Sequence, residues 1–111
     1  MSNLMEIDGY KATIQYDPEI EMFRGEFIGL NGGADFYAAD VEGLKREGVF
    51  SLRVFLEACE ARGIPPLKQY SGKFNVRIPP ELHAEAVTVA ASQGKSLNQL
   101  ITDSLAEAVG V

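Results

Sequence analysis

Lys73-Phe74-Asn75-Val76-Arg77-Ile78-Pro79 is the stretch that decides how this chain is read. Its polar and apolar residues alternate with period two, the pattern of a short strand with one buried face. Phe74, Val76 and Ile78 fall on the apolar side, and Lys73, Asn75 and Arg77 on the other. Those three polar residue types suit hydrogen bonding to base edges in a DNA major groove, Lys or Arg to guanine and Asn to adenine.

Downstream of this strand, Pro79-Pro80 opens a helix, with Pro80 at a first position that needs no backbone N–H. Leu82, Ala86, Val89 and Ala90 trace its apolar face, and Gly94 ends it. Ser96 is an N-cap, and Gln99 three residues later completes the pattern of a capping box. Leu97, Leu100, Ile101, Leu105 and either Ala108 or Val109 mark the apolar face of a second helix.

A strand and two helices over residues 73–111 are too few to close a core unaided. His83 is the chain's one histidine and Cys59 its one cysteine, so neither a metal ligand set nor a disulfide can staple the segment. Association remains. Two copies pairing Lys73–Ile78 antiparallel would form a ribbon over four interlocked helices, the ribbon–helix–helix dimer, and such ribbons enter the major groove. Phe74, Val76, Ile78, Leu97, Leu100, Ile101 and Leu105 are the expected dimer core. Lys73, Asn75 and Arg77 are the expected reading residues. Lys95, Ser96, Leu97 and Asn98, at the second helix N-terminus, form a candidate phosphate clamp.

Upstream, residues 64–72 read as a linker, semi-rigid at Pro65-Pro66 and flexible towards Gly72, with Tyr70 free to dock on either side. Residues 6–63 read as a first domain. Tyr10, Ala12, Ile14 and Tyr16 alternate with polar residues as a strand; Asp17-Pro18-Glu19 turns; Met22–Leu30 forms a second strand with Phe23 and Phe27 opposite Arg24 and Glu26. Gly25 and Gly29 permit close backbone approach or a bulge. Asn31-Gly32-Gly33 turns into a short third strand, Ala34–Ala38. Asp40 caps a long amphipathic helix whose apolar face is Val41, Leu44, Gly48, Leu52, Phe55, Leu56 and Cys59, closed by Gly63. The expectation is α+β: a β-β-β-α unit followed by β-α-α, with the uncovered sheet face open to a partner or a fourth short strand.

Charge separates the two domains. The 111 residues carry a net charge of −6. Residues 1–70 hold 7 Lys and Arg against 12 Asp and Glu, while residues 71–111 hold 3 against 4. The acidity therefore lies in the first domain, where it suits a basic protein partner as well as it suits simple solubility, and the DNA-reading half is nearly neutral. With 46% apolar and 23% charged residues, the chain reads as globular. No apolar run reaches the roughly 18–20 residues of a membrane span, and the N-terminus lacks a secretory pattern, so a cytoplasmic protein is expected.

The run Tyr70-Ser71-Gly72-Lys73-Phe74-Asn75-Val76-Arg77-Ile78-Pro79-Pro80-Glu81-Leu82-His83, followed by Gly94-Lys95-Ser96-Leu97-Asn98, resembles the C-terminal region of HicB-type antitoxins. Tyr10–Tyr16, Asp17-Pro18-Glu19, Gly25-Glu26-Phe27 and Leu56-Glu57-Ala58-Cys59 resemble the same family upstream, so the resemblance covers residues 8–109. It implies a partial RNase H-like N-terminal domain that blocks a HicA-type toxin. Such a toxin is a small basic ribonuclease that cleaves mRNA, with a double-stranded-RNA-binding-like fold and a catalytic histidine. It also implies a C-terminal domain that binds operator DNA and represses the toxin–antitoxin operon.

No enzymatic reading competes. His83 lies near a helix start without a Ser or Cys nucleophile, and turn and cap roles explain Asp17 and Asp40 among the acids Asp8, Asp17, Asp35 and Asp40. Cys59 reads as a buried thiol. No cofactor, metal or membrane partner is expected. The rival reading is a ribbon–helix–helix repressor whose N-terminal domain senses a ligand or mediates oligomerisation, with no toxin partner.

Overall fold

In the computed structural model, which describes residues 3–111, the chain is α+β, with a four-stranded antiparallel sheet and three helices among the described residues. It divides into two compact units, Met1–Ser71 and Gly72–Val111.

The first unit is a meander in which β1 (Leu4–Ile7), β2 (Tyr10–Asp17), β3 (Met22–Phe27) and β4 (Asp35–Ala38) lie in sequence order. The strand preceding Tyr10 was not expected from the alternation, since of Leu4-Met5-Glu6-Ile7 only Ile7 is buried. Its signal lies in the turn. Asp8 and Gly9 sit at φ 49° and 84°, and Asp-Gly is the dipeptide that two-residue hairpins with two positive φ values select. The next turn is held by Asp17 Oδ1, which accepts from Glu19 N–H at 3.0 Å.

Register places Ala12 opposite Phe27, Gly25 opposite Phe36, and Phe23 between Tyr16 and Ala38. Phe23 and Phe27 thus share a face, with Arg24 and Glu26 on the other, as alternation predicts. Tyr16 meets Phe23 edge-on at 5.4 Å yet stays 55% exposed, so it flanks the core without joining it. Strand β3 stops at Phe27, short of the expected Leu30. Leu30 is buried and instead bridges Leu67, beyond α1 (Val41–Arg62). Asn31 N–H donates to Pro66 O at 2.8 Å and Lys68 N–H to Gly29 O at 2.9 Å, so residues 66–68 of the expected linker are tied to the first unit.

The core joins Ile7, Ala12, Phe27, Leu30, Phe36 and Ala38 of the sheet side to Leu44 and Leu52 of α1. Two glycines set the spacing. A Cβ on Gly25 would run into the Phe36 ring, and one on Gly48 would meet Ile7 Cδ1 and the same ring. Gly48 therefore lets α1 lie close to the sheet. Asp40 Oδ1 accepts from Gly43 N–H at 2.6 Å as the N-cap. Cys59 is buried, as expected of a structural thiol. Val41 is 57% exposed and falls outside the helix's buried stripe.

In the second unit, α2 (Pro80–Ser92) begins with Pro80 at its first turn, and α3 (Leu97–Val109) is capped by Ser96. The two helices pack on each other, with Ala90 buried and Ala86, Val89, Leu97 and Leu100 half-buried. All three helices end alike. Beyond α2, Lys95 N–H donates to Ala90 O and Gly94 N–H to Ala91 O, the paired bonds of a Schellman motif around a left-handed glycine. Gly63 and Gly110 close α1 and α3 in the same way.

Candidate functional site

Residues 73–79 enter neither a β-ladder nor a helix in the single chain, and every one of them is exposed. An isolated strand has no inter-strand acceptor for its N–H groups, so alternation alone cannot make a ladder. Phe74, Val76 and Ile78 are 67, 65 and 39% exposed. Leu82 and Val87 of α2 and Ile101, Leu105 and Val109 of α3 are exposed too, and no residue of α3 is fully buried. Of the apolar residues expected in a shared core, Phe74, Val76, Ile78, Ile101 and Leu105 are therefore exposed in one copy, while Leu97 and Leu100 are half-buried against α2. Lys73, Asn75 and Arg77 lie in the same exposed segment.

At the start of α3, Ser96 Oγ accepts from Gln99 N–H at 3.0 Å. The reciprocal half of the capping box does not form. Gln99 Nε2 instead donates to Asp103 Oδ1 at 2.7 Å, and Lys95 Nζ donates to Asp103 Oδ2 at 2.7 Å. Lys95 first and Gln99 second hold the Asp103 carboxyl below the usual carboxylate range. The first-turn N–H groups of Leu97 and Asn98 lack intrahelical acceptors by the geometry of any helix start. They are the donors this end offers to an anion, beside a lysine already engaged by a carboxylate.

In the first unit, the face of the sheet away from α1 carries an ion triad. Arg24 lies 2.7 Å from Glu26 and 3.1 Å from Asp35. Its guanidinium pKa is raised, mainly by the hydrogen bond to Asp35 and then by the charge of Glu26. The four aspartates weighed as a possible acidic site are dispersed among structural roles. Asp8 sits in the first hairpin turn, Asp17 in an Asx turn, Asp35 in the triad and Asp40 at the helix cap. Among the described residues, no three His, Cys, Asp or Glu side chains gather in metal-binding geometry. His83 is exposed on the first turn of α2.

One surface of the first unit was not anticipated. Phe50 and Val54 project from α1 off its buried stripe, 62 and 52% exposed, and with β4 they line an open groove of about 500 Å³. The sequence signal was the i, i+4 spacing of two large apolar residues outside the face traced by Leu44, Leu52 and Cys59. A second, smaller groove lies between Gly9, Tyr10, Lys11, Ile28, Leu67 and Tyr70, so Tyr70 borders the first unit.

No helix among the described residues is long and apolar enough to cross a membrane. No curated protein and no solved structure matches the chain. The HicB family model matches residues 55–105, from the later part of α1 into α3, and this match supports membership of the HicB family.

Proposed function

We propose that this chain is the antitoxin of a type II toxin–antitoxin system. Its first unit, a partial RNase H-like domain, neutralises a HicA-type mRNA interferase without being an enzyme itself. Its second unit dimerises as a ribbon–helix–helix and represses its own operon. The observation that carries the reading is the exposed Phe74, Val76 and Ile78 in a segment with no ladder partner, next to two helices with exposed apolar faces. Pairing two such segments would give each strand a partner for the backbone groups on its shared edge. Removing one of these side chains from water stabilises by about 1.5–3 kcal/mol. The family match over residues 55–105 supports the antitoxin role.

The paired ribbon presents Lys73, Asn75 and Arg77 twice, and each good base contact discriminates by roughly 1–3 kcal/mol. The α3 N-termini, with Lys95, Ser96, Leu97 and Asn98, hold flanking phosphates and fix the register of the ribbon. The acidity of the first unit favours the basic toxin, and the second unit, with 3 Lys and Arg against 4 Asp and Glu over residues 71–111, is nearly neutral.

The test has two arms. Co-expression with the neighbouring reading frame should rescue growth from a small basic ribonuclease, and the two proteins should co-purify. Arg77→Ala and Asn75→Ala should each weaken operator binding while leaving the dimer intact. Unchanged operator binding by the triple alanine variant at 73, 75 and 77 would refute the DNA-binding half. Absence of a toxin partner would refute the antitoxin half and favour a stand-alone repressor.

A further inference from the structure

Strand β4 is an edge strand, since the sheet order runs from β1 to β4. Phe27 N–H donates to Ala34 O at 3.0 Å, which makes residues 27 and 34 a hydrogen-bonded pair. Alternation along an antiparallel ladder makes Gly25–Phe36 the next such pair and turns the backbone groups of Asp35 and Tyr37 away from β3. Asp35 O already accepts from Ser51 Oγ on α1, at 3.1 Å. The outward N–H and C=O of Tyr37 and the N–H of Asp35 therefore border the groove beside Phe50 and Val54.

Natural proteins cover or charge such an edge, because an open edge beside apolar surface invites another strand. Here apolar surface and edge lie together. The charged residues lining the groove are Asp35, whose carboxylate pairs with Arg24, and Glu47, in a unit whose net charge over residues 1–70 is −5.

We propose that the β4–α1 groove is where the first unit takes its protein partner, by adding to β4 an extended strand of a small basic protein. Main-chain bonds to Asp35 and Tyr37 would hold the strand, alternate apolar side chains would enter against Phe50 and Val54, and a Lys or Arg would meet Glu47. This rests on the antitoxin reading and names the surface and recognition mode behind it.

The test uses the full chain and the small basic protein of the neighbouring reading frame, with its catalytic histidine replaced by alanine. Amide hydrogen exchange followed by NMR should slow at Asp35 and Tyr37 on binding. Val54→Lys and Phe50→Asp, both at exposed positions, should weaken binding by about tenfold or more, with the free chain's melting temperature unchanged. Glu47→Lys should weaken it less. Binding with Asp35 and Tyr37 exchanging as in the free chain, and with Val54→Lys at wild-type affinity, overturns the groove but spares the antitoxin reading. Protection of the same amides by self-association of the free chain assigns the edge to a second copy and also overturns the proposal. No binding by the wild-type chain overturns both readings.

Discussion

Lys95 Nζ lies 2.7 Å from Asp103 Oδ2, two turns into α3, so the cation at the proposed phosphate clamp is held by a carboxylate of the helix that follows it. Lys95 is only 27% exposed at its side chain and Asp103 47%, a partly screened pair of modest strength. A phosphate at the α3 N-terminus must therefore compete with Asp103 for Lys95. Asp103→Asn removes both the competitor and a negative charge near the DNA. It should tighten operator binding by roughly three- to tenfold at low salt and steepen the salt dependence. Fluorescence anisotropy titrations at two salt concentrations would measure this, and an unchanged Kd would remove Lys95 from the clamp.

The pH dependence follows from the same pair. Asp103 titrates below its ordinary value in the folded chain, so its contribution to stability is present above about pH 3.9 and is lost as pH falls through the depressed value. The lock is thus closed across the neutral range. Operator affinity between roughly pH 5.5 and pH 8 should show no step that Asp103→Asn abolishes. A step in that window would mean the carboxyl is not held low.

Val76→Asp places a charge on the apolar side of the proposed ribbon. Two such charges face one another in a dimer, at a cost of several kcal/mol. The variant should run as a monomer in light scattering and lose helical signal from the second unit, while the first unit keeps its own melting transition. A dimeric Val76→Asp chain would show that Phe74, Val76 and Ile78 are not the shared core.

Gly48→Ala tests the close approach of α1 to the sheet. Helix propensity alone favours Ala by about 1 kcal/mol. The added Cβ, however, meets Ile7 Cδ1 and the Phe36 ring, and overpacking of this kind costs about 1–3 kcal/mol. The clash should win in the wild-type background and lower the melting temperature. In an Ile7→Val background, which removes the offending methyl, Gly48→Ala should become neutral or stabilising. A double-mutant cycle by chemical denaturation reads the coupling directly.

Glu21 sits at φ +52° in the turn before β3. The left-handed region costs an ordinary L-residue about 1–2 kcal/mol, and Asn tolerates it better. Glu21→Asn should stabilise the first unit by about 0.5–1 kcal/mol without changing operator binding. Thermal denaturation would check the first statement and anisotropy the second.

Much of this architecture is written in short-range chemistry. Asp40 and Ser96 cap helices because a side-chain oxygen reaches an N–H three residues on. Gly63 and Gly94 end helices because the left-handed conformation is cheap without a Cβ. The alternation at 73–78 groups Phe74, Val76 and Ile78 on one side of an extended segment, and all three are exposed in the single chain. Strand β1 was legible only through Asp8-Gly9, since four residues with one buried side chain carry too little periodicity.

The amino-acid order by itself determined the α+β class and the helix ends, because those depend on neighbours within a few residues. Tertiary structure decided the rest. It explained Gly48 by the sheet beneath it, drew residues 66–68 back to Leu30 and Asn31, and set Phe50 and Val54 beside the open edge of β4. It also turned Gln99 and Lys95 towards Asp103. Each of these depends on which distant groups meet, and that is settled by packing, where one methyl group or one competing carboxylate changes the outcome.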